Sequence, residues 1–158
     1  MPPQVARPQE TSTLCLSPEG LSIHMRIPAD RLYLANAMLT LREICDHLNL
    51  DWRQSNRISL VMEEALLNSM EHAYPAPAGE GQIDLQFTVE GDEFLVVVED
   101  FGRGIPSGRE SEYIADDSIL NDRGRGLCIL RGLSDKSAVQ PTNQGTRATM
   151  LFYLPTNA

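Results

Sequence analysis

The segment Arg57-Ile-Ser-Leu-Val-Met-Glu-Glu-Ala-Leu-Leu-Asn-Ser-Met-Glu-His-Ala-Tyr-Pro75 constrains the fold more than any other. At about 100° per residue it makes a helix apolar almost all round, broken by one narrow polar stripe. Ile58, Leu60, Val61, Met62, Ala65, Leu66, Leu67, Met70 and Ala73 cover most of the surface. Arg57, Glu64, Asn68 and Glu71 share the stripe, with His72 at its edge. Such a helix has to be covered on most sides, and its stripe has to face something polar. A carboxylate and an amide one turn apart can offer a base and a metal ligand to a single reacting group. The same groups can also be a buried hydrogen bond from Glu64 to Arg57 or Asn68. Glu63 lies among the apolar positions and is given no role; His72 is expected to pack or hydrogen-bond at the helix end.

The flanking pattern supplies the cover. Leu21, Ile23, Met25 and Ile27 alternate with Ser22, His24 and Arg26, a half-buried strand stopped by Pro28, with His24 on the solvent side. Asp30 can cap a helix running to about Leu48. Asn49 to Gln54 is expected to connect the two helices, with Trp52 packing at the joint, and Tyr74-Pro75-Ala-Pro77-Ala-Gly79 ends the second one. Gln82 to Val89 and Phe94 to Val98 predict a hairpin turned at Glu90-Gly91-Asp92. A polar tract from Ser107 to Asp122 is long enough to be a functional loop. A short helix from Leu127 to about Leu133 and a hairpin of Lys136–Gln140 with Thr146–Leu154 complete the chain. This order predicts an α/β two-layer sandwich: a mixed sheet with helices on one face. Residues 1–20, with Pro2, Pro3, Pro8 and Pro18, are expected to be a flexible arm, and 21–158 a single domain.

The chain of 158 residues is one domain long. No apolar run approaches the ~18 residues that cross a bilayer, and the first residues lack the apolar core of a signal peptide, so a cytoplasmic location is expected with no membrane contact. Asp and Glu number 22 against 13 Lys and Arg. The net charge of −9 and pI near 4.7 argue against direct nucleic-acid binding and suit a basic partner protein, or simply solubility. Cys15, Cys45 and Cys128 have no CxxC or Cys/His spacing, so neither a disulfide framework nor a zinc site is expected.

Phe94, Val96, Val98 and Asp100 share one strand face, so Asp100 continues an apolar, core-facing row. A carboxylate there needs donors, either a ligand presenting N–H groups, such as the amino group of adenine, or backbone N–H groups of its own turn. Phe101-Gly102-Arg103-Gly104-Ile105-Pro106 follows, whose alternating glycines let backbone approach a flat ligand. Asp100-Phe101-Gly102 also spells the metal-binding triplet of eukaryotic-type protein kinases, but no catalytic loop matches and the chain is too short for two lobes. Asp122-Arg-Gly124-Arg-Gly126-Leu127 puts a glycine pair before a helix, where free N–H groups attract phosphate; the pair can also be a plain turn. Arg123 and Arg125 can neutralise terminal phosphate charge or simply be solvated.

Taken together, Glu64-Ala-Leu-Leu-Asn68 with Glu71-His-Ala-Tyr74, Asp100-Phe-Gly102-Arg-Gly104-Ile105, Gly124-Arg-Gly126-Leu127 and Gly145-Thr146 resemble the N, G1, G2 and G3 boxes of the GHKL (Bergerat-fold) ATPases. Within that superfamily the length and the Asn-x-x-x-His-Ala-Tyr ending resemble the anti-sigma factor serine kinases, over about Leu21 to Pro155. The resemblance implies ATP and Mg²⁺ as cofactors, Asn68 as the metal ligand and Glu64 as the catalytic base. It makes Asp100 the adenine acceptor, with Gly102, Gly104 and Ile105 shaping the pocket. Gly124, Arg125, Gly126 and Leu127 would lie at the phosphates beneath a lid, and Thr146 would support the Asp100 end. It further implies phosphorylation of a serine on a small antagonist protein, sequestration of a sigma factor, and a homodimer. The alternative is a nucleotide-gated binding module with little or no transfer. A histidine kinase is disfavoured because neither His47 nor His72 precedes an acidic residue.

Overall fold

Six strands form, five of them where the sequence pattern put them, and the computed structural model describes residues 13–17, 20–73, 81–102 and 124–156, with backbone alone at 13–17, 72–73 and 124–128. In chain order these are β1 (Thr13–Ser17), β2 (Gly20–Pro28), α1 (Leu34–His47), α2 (Trp52–Asn68), β3 (Gln82–Glu90), β4 (Glu93–Asp100), α3 (Gly124–Leu133), β5 (Lys136–Pro141) and β6 (Thr146–Tyr153). A 3₁₀ turn, Arg31–Tyr33, precedes α1, and a wide π turn, Ser69–Ala73, extends α2. The sheet order is β1-β2-β3-β4-β6-β5. Ile83, Leu85 and Phe87 of β3, Phe94, Val96 and Val98 of β4, and Met150 and Phe152 of β6 are buried on the face that meets Leu41, Ile44, Ile58, Val61, Met62 and Leu66 of the helices. Each such side chain contributes about 1.5–3 kcal/mol on leaving water, which holds the two layers together. Phe87, Phe94 and Phe152 run across the sheet at ring separations of 6.5 and 6.4 Å. The two-layer α/β sandwich is therefore as anticipated.

Three local expectations change. Every described pairing is antiparallel, where a mixed sheet was expected. Two helices between β2 and β3 return the chain to its starting end, so those neighbours must oppose each other. The strands that do run parallel to β4 are β2 and β5, and each is separated from it by an antiparallel neighbour, β3 or β6. Secondly, the arm expected over 1–20 contains a strand: Thr13–Ser17 folds back on β2 with Ser17 opposite Gly20. Its five residues are too few for a periodic signal to stand out beside Pro18; residues 1–12 lie outside the described residues.

Thirdly, α2 begins at Trp52 rather than after Gln54. The Asp51 side chain accepts from Gln54 N at 2.8 Å while the Gln54 side chain accepts from Asp51 N at 3.3 Å, a reciprocal cap that starts the helix a turn earlier. Trp52, expected to pack at the joint, lies in the first turn and is 70% exposed, with the Arg53 guanidinium 5.7 Å from its ring. Asp30 does cap, accepting from Leu32 N at 3.0 Å, though it caps the 3₁₀ turn that leads into α1.

Candidate active site

The core-facing row of β4 ends in a charged group. Asp100 is 4% exposed, flanked by Ile83 on β3 and Thr146 on β6. Its Oδ1 accepts from Gly102 N and from Thr146 N, each at 3.2 Å, and its Oδ2 accepts from Ser69 Oγ at 3.2 Å. The own-turn reading of Asp100 accounts for the donor from Gly102, and two more donors come from distant segments of the chain. An ionised carboxylate has about four acceptor positions, so three donors leave one for a ligand N–H. Burial pushes the Asp100 carboxyl up from its ordinary value, and the bonds from Gly102, Ser69 and Thr146 pull it back.

Gly145 makes this closeness possible. A Cβ there would lie 2.1 Å from the Asp100 carbonyl oxygen and 2.7 Å from Oδ1, so only glycine lets the β5–β6 turn pass against the acid. The turn is fixed by Thr142, whose N donates to Gly145 O at 2.9 Å and whose hydroxyl accepts from Gly145 N at 3.0 Å. Ser69 is buried at the first position of the π turn, directly after Asn68, so its bond to Asp100 joins the end of α2 to the end of β4. Asn68 and Glu64 are half-buried on α2, and among the described residues neither side chain has a hydrogen-bond or ion-pair partner. The alternative of a Glu64–Arg57 bond is not what forms: Arg57 Nη2 donates to Asp135 Oδ2 at 2.8 Å. Glu71, at the far end of the stripe, pairs with Arg31.

Of the other residues singled out by sequence, Gly102 is half-buried beside Asp100 and Thr146 opens β6 against it. Gly124, Arg125, Gly126 and Leu127 form the first turn of α3, and their side chains are not described. Gly104, Ile105, Arg123 and the tract 107–122 lie outside the described residues. Sequence reasoning missed two participants. Ser69 lies off the polar stripe, and the only hint was a hydroxyl next to Asn68 in an apolar helix. Gly145 was noticed in a box but given no function, because its necessity depends on Asp100, which is remote in the chain.

The donor set fits a nucleotide with a hard metal. No described cluster of three or more His, Cys, Asp or Glu side chains could hold a metal alone. A cation here would take one amide oxygen from Asn68 and its other ligands from water and phosphate, as Mg²⁺ does.

Residues 27–152 match the Histidine kinase-like ATPase domain. The chain is 27% identical to the serine-protein kinase RsbW of Bacillus pumilus over 139 residues, covering 84% of this chain and 85% of that one. It is 25% identical to the RsbW of Bacillus subtilis over 138 residues, with 84% and 85% covered. Its fold is similar to the RsbU and RsbW domains of Rv1364c from Mycobacterium tuberculosis, with a TM-score of 0.63 and 20% identity; the match spans 84% of this chain but only 32% of that longer one. A histidine kinase domain from Erythrobacter litoralis EL346 is similar at a TM-score of 0.51 and 24% identity over 81% of this chain and 62% of that one. The chain therefore belongs to the histidine kinase-like ATPase domain family, of the GHKL kind.

Proposed function

We propose that this protein is a Mg-ATP-dependent serine kinase that phosphorylates a small antagonist protein and, when the antagonist is unphosphorylated, releases a sigma factor or similar regulator in order to hold it. The observation that carries the reading is the buried Asp100, held by Ser69, Gly102 and Thr146 against the end of the helix that bears Glu64 and Asn68. The similarity to RsbW serine-protein kinases across most of the chain supports the same class. In this reading Asp100 accepts the adenine amino group and Gly102, Gly104 and Ile105 shape the pocket around the base. Asn68 holds Mg²⁺, which would supply charge neutralisation at the phosphates. Gly124, Arg125, Gly126 and Leu127 present the N-terminal end of α3 to those phosphates. Glu64 takes the proton from the attacking serine hydroxyl.

The partner surface is α1 and its approach, where Leu32 is 80% and Leu39 58% exposed. That exposed apolar pair also favours a second reading, a nucleotide-gated module that holds its partner with little transfer. The protein is taken to act as a cytoplasmic homodimer without direct nucleic-acid contact. Among the described residues no helix is long and apolar enough to cross a membrane.

The test is recovery of partners from native lysate with and without Mg-ATP, followed by mass spectrometry for phosphoserine on the small partner. Phosphoserine that appears with wild-type protein and disappears with Glu64→Gln, while nucleotide affinity is kept, supports the kinase. A recovered partner that is never phosphorylated selects the binding module.

A further inference from the structure

We infer that Arg57 and Asp135 form a pivot that aims α2 and α3 at each other, making Arg57 a positioning residue for the metal and phosphate end of the site. The inference rests on the nucleotide reading above and deepens it. Asp135 follows α3 and is fastened to β6 twice: its own N donates to Leu151 O at 2.9 Å, and its Oδ2 accepts from Tyr153 N at 2.7 Å. Arg57 donates Nη2 to that same Oδ2 at 2.8 Å, and its guanidinium stands 5.5 Å from the centroid of the fully buried Phe152 ring. Among the described residues this is the ion pair that joins α2 to the segment leaving α3; the others link α1's approach to the π turn or lie across neighbouring strands.

The placement has a cost. Arg57 Nε is buried with no hydrogen-bond partner. A buried unpaired donor is destabilising, so a guanidinium kept there needs a reason beyond general stability.

Geometry supplies one. Arg57 and Glu64 are two turns apart on α2 and so share nearly the same direction from the helix axis, as does Asn68 one turn further. Fixing the direction of Arg57 fixes theirs. Side chains extend roughly 5–6 Å from the axis, so a 20° roll of α2 would carry the Glu64 carboxylate and the Asn68 amide about 2 Å sideways. Displacement of about 1 Å at a reacting centre can cost a hundredfold in rate. The pair also lies at the pole of the sheet opposite Asp100, because Tyr153 pairs with Glu93 while Thr146 pairs with Asp100. α3 is thus pinned where it ends and presents Gly124 and Gly126 where it begins. The adenine acceptor belongs to the sheet, and two of its three donors, Gly102 N and Thr146 N, lie off α2, so the pivot bears on it only through the single bond from Ser69.

The experiment is calorimetric titration of ADP in EDTA and of ATP with and without Mg²⁺, on the wild type and on Arg57→Met, Arg57→Lys and Asp135→Asn. The expected result is metal-free ADP affinity within about twofold of wild type in every variant. The Mg²⁺ enhancement of ATP affinity should fall about tenfold in Arg57→Met and Asp135→Asn and recover in part in Arg57→Lys. Thermal melts identify any variant that fails to fold, in which case Arg57→Lys carries the comparison. A Mg²⁺ enhancement that survives in folded variants, or ADP and ATP affinities that fall together, overturns the pivot and leaves the nucleotide reading standing. A wild type that binds ATP with no Mg²⁺ enhancement removes the metal role of Asn68 and the pivot with it. No adenine-nucleotide binding by the wild type overturns the proposed function itself.

Discussion

Asp100 concentrates most of the chemistry available at the scale of single residues. Its carboxyl is raised by burial, so the empty protein holds this proton to a higher pH than an ordinary carboxylate does, and the stability this group contributes declines as pH rises from the unfolded value through the folded one. A ligand N–H needs the ionised form, so nucleotide affinity should run the other way: complete above the folded value and lost as pH falls through it. That loss should begin at a higher pH than for an ordinary carboxylate. ADP titrations across pH, in two buffers of different ionisation enthalpy, should show protons released on binding; a flat affinity in acid would refute this role. Asp100→Asn should weaken ADP roughly ten- to hundredfold and remove the pH dependence. Gly145→Ala should lower stability by about 1–3 kcal/mol and weaken ADP as well, because its Cβ has only the Asp100 backbone and carboxylate to displace. A melt and a titration on the same sample would check both. Asp100 was legible in sequence because strand alternation gives its direction. Ser69, Gly145 and Asp135 were not, since each acquires its role from a partner far away in the chain.

Elements were legible where their period is long and uninterrupted. The apolar surface of α2 and the alternating rows of β2, β3, β4 and β6 all appear close to where the pattern put them. The beginning of α2 was misplaced although Asp51 and Gln54 stood at capping-box spacing, because Trp52 and Arg53 between them carry no apolar period. Asp51→Ala should cost about 0.5–2 kcal/mol, seen as a lower melting temperature with ADP affinity unchanged, since the cap lies at the end of α2 remote from Asn68. A change in ADP affinity would mean that the cap is coupled to the site. Strand direction was illegible for another reason: whether neighbours run parallel depends on which strand slots between which, and nothing in the alternation of β5 or β6 reports that β6 inserts beside β4.

For the molecule as a whole, the sheet separates edge protection from chemistry. β1 covers the edge of β2, and in the order β1-β2-β3-β4 it lies about 14 Å from the strand that bears Asp100. A chain beginning at Gly20 should therefore keep ADP affinity within about twofold while aggregating faster, as β2 exposes unpaired N–H and C=O groups. Light scattering beside calorimetry would show it, and a large loss of affinity would mean that β1 supports the cleft. The opposite arrangement holds at the other terminus. β6 starts against Asp100 and runs away from it to pair Tyr153 with Glu93, and Leu154 N then donates to Asp92 O at 2.6 Å at the β3–β4 turn. Eight residues of strand at about 3.3 Å each put roughly 25 Å between the two ends. A fluorophore or surface tether attached past that turn would stand clear of the proposed nucleotide site at Asp100, so the protein can be immobilised for single-molecule work without obstructing it.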